Sequence, residues 1–209
     1  GEGPPILFIH EFAGDWRAWD PQVSHFSRRR RCIVYSARGY PRSDVPEDIK
    51  SYSQDIARTD ALAVLDHLRI EKAHIVGLSM GGFATLHFGM AYPDRALSLT
   101  VCGCGHGAEP DTREEFRNLS LAVADNFEAR GAADYAEEYV TVPGRLTFRD
   151  KDPRGWTAFV ARLAEHADLG AALTQRGVQA SRPGLWDLAD QIRAIPVPTM
   201  IVTGDDDQR

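Results

Sequence analysis

The chain has 209 residues, enough for one domain with a full core, or for one domain plus an insertion. Hydrophobic residues make up 43% and charged residues 26%, the composition of a folded globular protein and not of a disordered one. Lysine and arginine total 24 against 30 acids, and the net charge of −6 disfavours nucleic acid as the main partner.

The N-terminal Gly1-Glu2-Gly3-Pro4-Pro5 shows no basic region followed by an apolar core, so no signal peptide is expected. Ile6 to Ile9 reads as a first strand, followed by a loop at His10-Glu11-Phe12-Ala13-Gly14. Trp16 and Trp19 flank that loop, and packing or substrate contact would both suit them. Arg28 to Arg31 is a basic run before the apolar Cys32 to Tyr35; it reads as a solvated turn leading into a second strand. Ser53 to Leu68 carries a helical stripe in Ile56, Ala61, Ala63, Val64, Leu65 and Leu68. Ala73 to Val76 is a third strand, Gly82 to Tyr92 a helix closed by Pro93, and Leu97 to Cys102 a fourth strand. The strands are nearly continuously apolar, as expected when helices cover both faces of a parallel sheet.

The rhythm then changes. From 107 to 195 the helical patterns Arg113 to Arg130, Ala132 to Tyr139, Gly155 to Leu169 and Leu185 to Ile192 follow one another without a strong strand. A simple crossover needs little more than one helix, so this stretch reads as a helical insertion. Thr199 to Thr203 is a fifth strand. The expected division is 1–106 as the first part of an α/β core, 107–195 as the insertion, and 196–209 as the returning core.

Cys32, Cys102 and Cys104 form neither a disulfide framework nor the C-x-x-C of redox and zinc sites. Reduced thiols and a cytoplasmic location are expected, since no apolar run approaches the ~20 residues that span a bilayer. Cys102 to His106 holds too few ligands for a metal and suits a hinge at a pocket wall.

Between the third strand and the next helix lies Gly77-Leu78-Ser79-Met80-Gly81, a G-x-S-x-G pattern. A tight strand-to-helix turn leaves no room for a Cβ beside the serine, which explains the glycines. The turn exposes the Ser79 hydroxyl beside a helix N-terminus that favours negative charge. A serine nucleophile needs a base, an acid that orients the base, and backbone amides for the oxyanion. The amide after the nucleophile, that of Met80, is one such donor, and the loop after an earlier strand supplies the second.

Ile9-His10, Gly14-Asp15-Trp16 with Trp19, Arg38-Gly39-Tyr40 with Ser43-Asp44, Gly77 to Gly82, and Gly204 to Asp207 together resemble the α/β-hydrolase fold family. The match is closest to the bacterial branch of enol-lactone hydrolases, small esterases and C–C hydrolases, and it covers nearly the whole chain in the family's motif order. The resemblance implies an α/β fold, a mostly parallel sheet flanked by helices, with a helical cap over Ser79. It implies Phe12 as the second oxyanion amide, although His10-Glu11 stands where the family usually has His-Gly. Glu11 thereby sets a carboxylate near the pocket mouth. His10 reads as a brace for the loop. The acid is expected at Asp207, with Asp205 and Asp206 as near competitors or turn residues.

The family's order also places the base histidine after the acid. All seven histidines, His10, His25, His67, His74, His87, His106 and His166, precede Asp207. His106, after the fourth strand, is the one with access to Ser79, and His166 is a weaker candidate. The base is therefore expected beyond Arg209, in a further strand and helix that follow the acid in family members, just as two strands usually precede the segment that begins here.

The expected function is cofactor-independent hydrolysis of a carboxylic ester or lactone through an acyl-enzyme on Ser79. C–C bond hydrolysis of a ring-cleavage product uses the same parts. A non-catalytic small-ligand-binding protein is the alternative of a different class. The expected pocket residues are His10, Glu11, Trp16 and His106, with no metal. The expected partner is a small-molecule ester or lactone, without nucleic acid or membrane and with a homodimer left open.

Overall fold

Five strands pair in parallel into one sheet: β1 (Pro5–Ile9), β2 (Arg31–Val34), β3 (Ala73–Leu78), β4 (Ala96–Cys102) and β5 (Thr199–Val202), in the spatial order β2-β1-β3-β4-β5. The computed structural model describes residues 1–205 and Asp207, without the side chain of Pro143. β1 lies centrally, Ile6 to Phe8 opposite Cys32 to Val34 on one side and His74 to Val76 on the other. Its alternate residues point to opposite faces. Ile6 and Phe8 pack with Trp19 and Val23, and Phe8 and Trp19 rings sit 5.0 Å apart. Leu7 and Ile9 enter a second cluster with Ala61, Leu65, Ile75, Ala84, Phe88 and Leu99.

The first cluster is covered by a 3-10 turn at Trp16–Trp19 and by α1 (Asp20–Phe26). The second is covered by α2 (Gln54–His67) and α3 (Met80–Ala91). Ser53 caps α2, its hydroxyl accepting from the Ile56 amide at 3.1 Å. α3 is apolar on all sides and ten of its twelve residues are buried, so it is a core helix without a solvent face. Two-sided coverage is complete at β1 but not at β5. There Met200, Ile201 and Val202 are exposed, because β5 is an edge strand packed against β4 alone among the described residues.

Between β4 and β5 the chain is helical: α4 (Arg113–Val140), α5 (Pro143–Lys151), α6 (Pro153–Leu163), α7 (Asp168–Thr174) and α8 (Ala189–Arg193). Gly131 breaks α4, with φ 78°, at the boundary the sequence places between two helices. The Asp168 carboxylate accepts from the Ala132 amide beyond that break at 2.6 Å. The stretch expected as one helix over Gly155 to Leu169 divides instead into α6 and α7. Ala167 is extended there, and Asp168 turns back onto α4. α7 runs on into a π turn at Gln175–Gln179. α8 lies against α3.

A third cluster joins these helices to the loops above the sheet. Phe12, Tyr40 and Met80 pack with Phe127, Tyr135, Val140, Leu163 and Leu173. Three polar straps reinforce that contact from the β1–α1 connection and the first residue of α1: Arg145 to Glu11, Arg17 to Glu165, and Arg162 to Asp20. Among the described residues no helix is long and apolar enough to cross a membrane.

Candidate active site

Ser79 sits at the carboxyl end of β3, in the turn that starts α3. Its backbone holds φ 53° and ψ −112°, a conformation that side-chain-bearing residues rarely adopt. The neighbours make that turn sterically obligatory. A Cβ on Gly77 would collide with the Gly81 carbonyl, and one on Gly81 with the carbonyls of Ile9 and His10. The Ser79 amide donates to the Cys102 carbonyl at 2.8 Å, which locks the turn to the end of β4. Strain of this kind, held by surrounding structure, is characteristic of a nucleophile presented at a sharp elbow.

The loop after β1 is braced with similar care. His10 is buried, and the Ala37 amide donates to its Nε2 at 2.9 Å. The ring proton therefore resides on Nδ1, which donates to the Glu11 carbonyl at 2.7 Å. Burial holds the His10 pKa below its ordinary value. The Gly14 amide bonds the same carbonyl at 3.1 Å. The loop is thus pinned on both sides of Phe12. Among the described residues neither the Phe12 nor the Met80 N–H has a hydrogen-bond partner. Met80 is the first residue of α3, where orphan amides point outward.

Ser79 and Phe12 open into a cavity of about 310 Å³. Its walls come from the β1 loop (Glu11), the segment after β4 (Gly103, Gly105, His106), α4 (Phe116, Tyr135, Tyr139), α5 (Arg145), the π turn (Gln175, Gln179) and Arg182. Asp207 lines the same cavity. A Cβ built on Gly103 would lie 3.8 Å from Asp207 Oδ2, and the Gly103 amide donates to Val202 at 2.9 Å. The carboxylate and the serine therefore line one cavity at the carboxyl ends of β5 and β3, on either side of β4, the usual end of the sheet for α/β sites.

Of the sequence-predicted residues, the structure gathers Ser79, Phe12, Glu11, His106 and Asp207 around one cavity, with Met80 next in the chain. His10 and Trp16 lie away from it: His10 is consumed in bracing the loop, and the Trp16 ring lies 5.8 Å from the Arg42 guanidinium. His166 is also outside, packed 5.1 Å from the Tyr40 ring. Asp205 does not line the cavity, and Asp206 lies outside the described residues. Sequence reasoning passed over Arg145, Gln175, Gln179 and Arg182. Glu11 turns out to be paired with Arg145 at 3.0 Å. The Arg145 side chain lies over Tyr139 and Phe159, at 4.9 and 5.7 Å. Burial opposes its charge, but Tyr139 and Glu11 outweigh burial and raise its pKa.

Residues 4–209 match the model of the alpha/beta hydrolase fold family. This chain belongs to that family. The α/β-hydrolase is 31% identical over 204 residues to 3-oxoadipate enol-lactonase 1 of Acinetobacter baylyi, covering 98% of this chain and 71% of the relative. It is 26% identical over 215 residues to a 2-hydroxy-6-oxononadienedioate/2-hydroxy-6-oxononatrienedioate hydrolase of Comamonas testosteroni, covering 100% and 73%. Among solved structures, a thermophilic esterase from Thermogutta terrifontis superposes with a TM-score of 0.84 at 28% identity, over 98% of this chain and 72% of that one. The fold expected from the sequence is therefore the fold observed, and the relatives named here are hydrolases.

Proposed function

We propose that this α/β-hydrolase cleaves a carboxylic ester or lactone through an acyl-enzyme on Ser79. The observation that carries the reading is the strained Ser79 elbow opening into a cavity beside the orphan amides of Phe12 and Met80. In this reaction Ser79 Oγ gives its proton to a histidine and attacks the acyl carbon. The oxygen of the tetrahedral adduct accepts hydrogen bonds from the two amides. Collapse expels the alcohol, or opens the lactone ring, and the histidine returns its proton to the leaving oxygen. Water, activated by the same histidine, then releases the acid and restores Ser79.

Asp207 is assigned as the acid that orients the histidine, supported by its place in the Ser79 cavity. The base is assigned to a histidine that follows Asp207, the family's chain order. His106 lines the cavity but precedes the acid, so it is given a pocket role. The helices over 107–195 are assigned as a cap that shapes substrate choice; they furnish most of the cavity wall. The three free thiols support a reducing, cytoplasmic setting. Hydrolysis of a C–C bond is the second reading, supported by the 26% identity to the Comamonas enzyme over all of this chain and 73% of that one.

Turnover of short-chain p-nitrophenyl esters tests the proposal. An acylation burst followed by steady hydrolysis, both absent in Ser79→Ala, is the expected result. Equal turnover by wild type and Ser79→Ala would reject it.

A further inference from the structure

Arg182 carries a charge that no carboxylate among the described residues answers. The residue is 7% exposed. Nη1 donates to Gln179 Oε1 and Nη2 to the His106 carbonyl, both at 2.5 Å, and both acceptors are neutral. Its guanidinium lies 3.6 Å from the Phe83 ring centre and 4.3 Å from that of Phe116. The other arginine in the Ser79 cavity, Arg145, is already neutralised by Glu11. Nearby Arg113 is paired to Asp187, and as a like charge it makes the burial of Arg182 costlier still.

A buried guanidinium without a counter-ion is expensive, and the two rings and two carbonyls recover only part of that cost. The remainder is recovered if an anion arrives. The setting is suited to one. Arg182 stands in the wall between the Ser79 cavity and a second cavity of about 370 Å³. Phe116 and Gln179 line both, and the second also holds Arg117 and the Asp187-paired Arg113. On the Ser79 side the π turn presents Gln175, which is buried and makes no side-chain hydrogen bond among the described residues. Among the described residues the site thus has one free positive charge at Arg182, one free amide at Gln175, and Arg117 behind them.

We propose that Arg182, with Gln175, receives a carboxylate of the substrate. The ester or lactone cleaved at Ser79 would then carry a second, acidic end that points past Phe116 toward the arginine-lined cavity. This rests on the hydrolase reading of Ser79 and adds to it the class of substrate. Arg182 is here a specificity-determining residue: it contacts the distal end of the substrate and takes no part in proton transfer.

The test uses the full-length protein and two esters of equal chain length, monomethyl glutarate and methyl pentanoate. Wild type is expected to favour the acid-ended ester by about tenfold to a hundredfold in kcat/KM, the range of a charge-assisted hydrogen bond. Arg182→Met should bring that ratio close to one, mainly through KM. Arg117→Gln should keep the preference and weaken its dependence on salt. Equal kcat/KM for the two esters in wild type would overturn the proposal, as would a folded Arg182→Met that keeps the preference.

Where Arg182→Met fails to fold, calorimetry decides. Glutarate should bind Ser79→Ala and pentanamide should not; failure of glutarate to bind overturns the subsite. If no ester shows Ser79-dependent turnover, it is the hydrolase reading that fails, and the calorimetric comparison still decides whether Arg182 holds a carboxylate.

Discussion

Removing the Arg145 guanidinium should damage catalysis, and removing the Glu11 charge as well should repair it. Glu11 immediately precedes Phe12, whose amide is assigned to the oxyanion. A bare carboxylate there opposes the charge that develops on the substrate. At 3.0 Å the Glu11–Arg145 attraction is about 5–6 kcal/mol for an effective dielectric of about 20, before desolvation is subtracted. The two side chains are 19% and 25% exposed, between the buried pairs that cost ~3–5 kcal/mol to break and the exposed ones worth ~1 or less. About 2 kcal/mol is the resulting cost of breaking the pair; repulsion of the oxyanion by the bared carboxylate, taken at the same scale, is roughly a thirtyfold loss in kcat/KM. Arg145→Met also takes the guanidinium off the Tyr139 and Phe159 rings, a loss that the double variant shares, so only the charge effect is repaired by Glu11→Gln. On a neutral ester, Arg145→Met should fall about thirtyfold, while Glu11→Gln and the double variant should stay within about threefold of wild type. A double variant as poor as Arg145→Met would refute the reasoning, since Arg145 would then act by shape and not by charge.

Ser79→Gly should melt above Ser79→Ala, with neither active. Relief of ~1–3 kcal/mol of backbone strain, less the added entropy of unfolded glycine, leaves about 1 kcal/mol, or ~2–4 °C, and equal melting points would contradict it. His166 is buried with both ring nitrogens unpartnered among the described residues, and burial lowers its pKa to about 4, with His10 adding to the effect. A depressed histidine binds its proton more readily unfolded, so stability is full above pH 6.5 and is lost as pH falls toward 4, by about 3 kcal/mol. His166→Gln should flatten that acid limb without abolishing it, because His87 is lowered to about 4 as well; an unchanged slope in denaturant titrations would count against the assignment. His106→Ala should retain Ser79-dependent ester turnover with an altered KM, whereas complete loss would move the base to His106.

The sheet and the tight turn at Ser79 were legible because the signals are local. Ile6 to Ile9, Cys32 to Tyr35, Ala73 to Val76 and Leu97 to Cys102 are apolar runs bounded by turn residues, and each lies within two residues of its strand. α1 escaped because Asp20 to Phe26 offers only Val23 and Phe26 as apolar contacts, too few to set a period. α5 escaped because Pro143–Lys151 is short and polar. The π turn leaves no pattern in Gln175 to Gln179 that differs from an ordinary helix. The G-x-S-x-G turn was readable in Gly77 to Gly81, since the glycines answer contacts with Ile9, His10 and Gly81 itself. The polar wall was not. Glu11 meets Arg145 across 134 positions, and Arg182 becomes a buried cation only when Phe83 and Phe116 arrive from other helices. No local rule signals such pairs, because burial and partner are both set by tertiary packing.

The central claim is that Ser79 is a nucleophile made reactive by its surroundings. Treating the full-length protein with a fluorophosphonate and locating the adduct by peptide mass spectrometry tests it most directly. A single stoichiometric adduct on the peptide that holds Ser79, absent in Ser79→Ala and blocked by prior denaturation, is the predicted result. An unmodified Ser79 peptide in folded protein, or label spread over other serines, would contradict it.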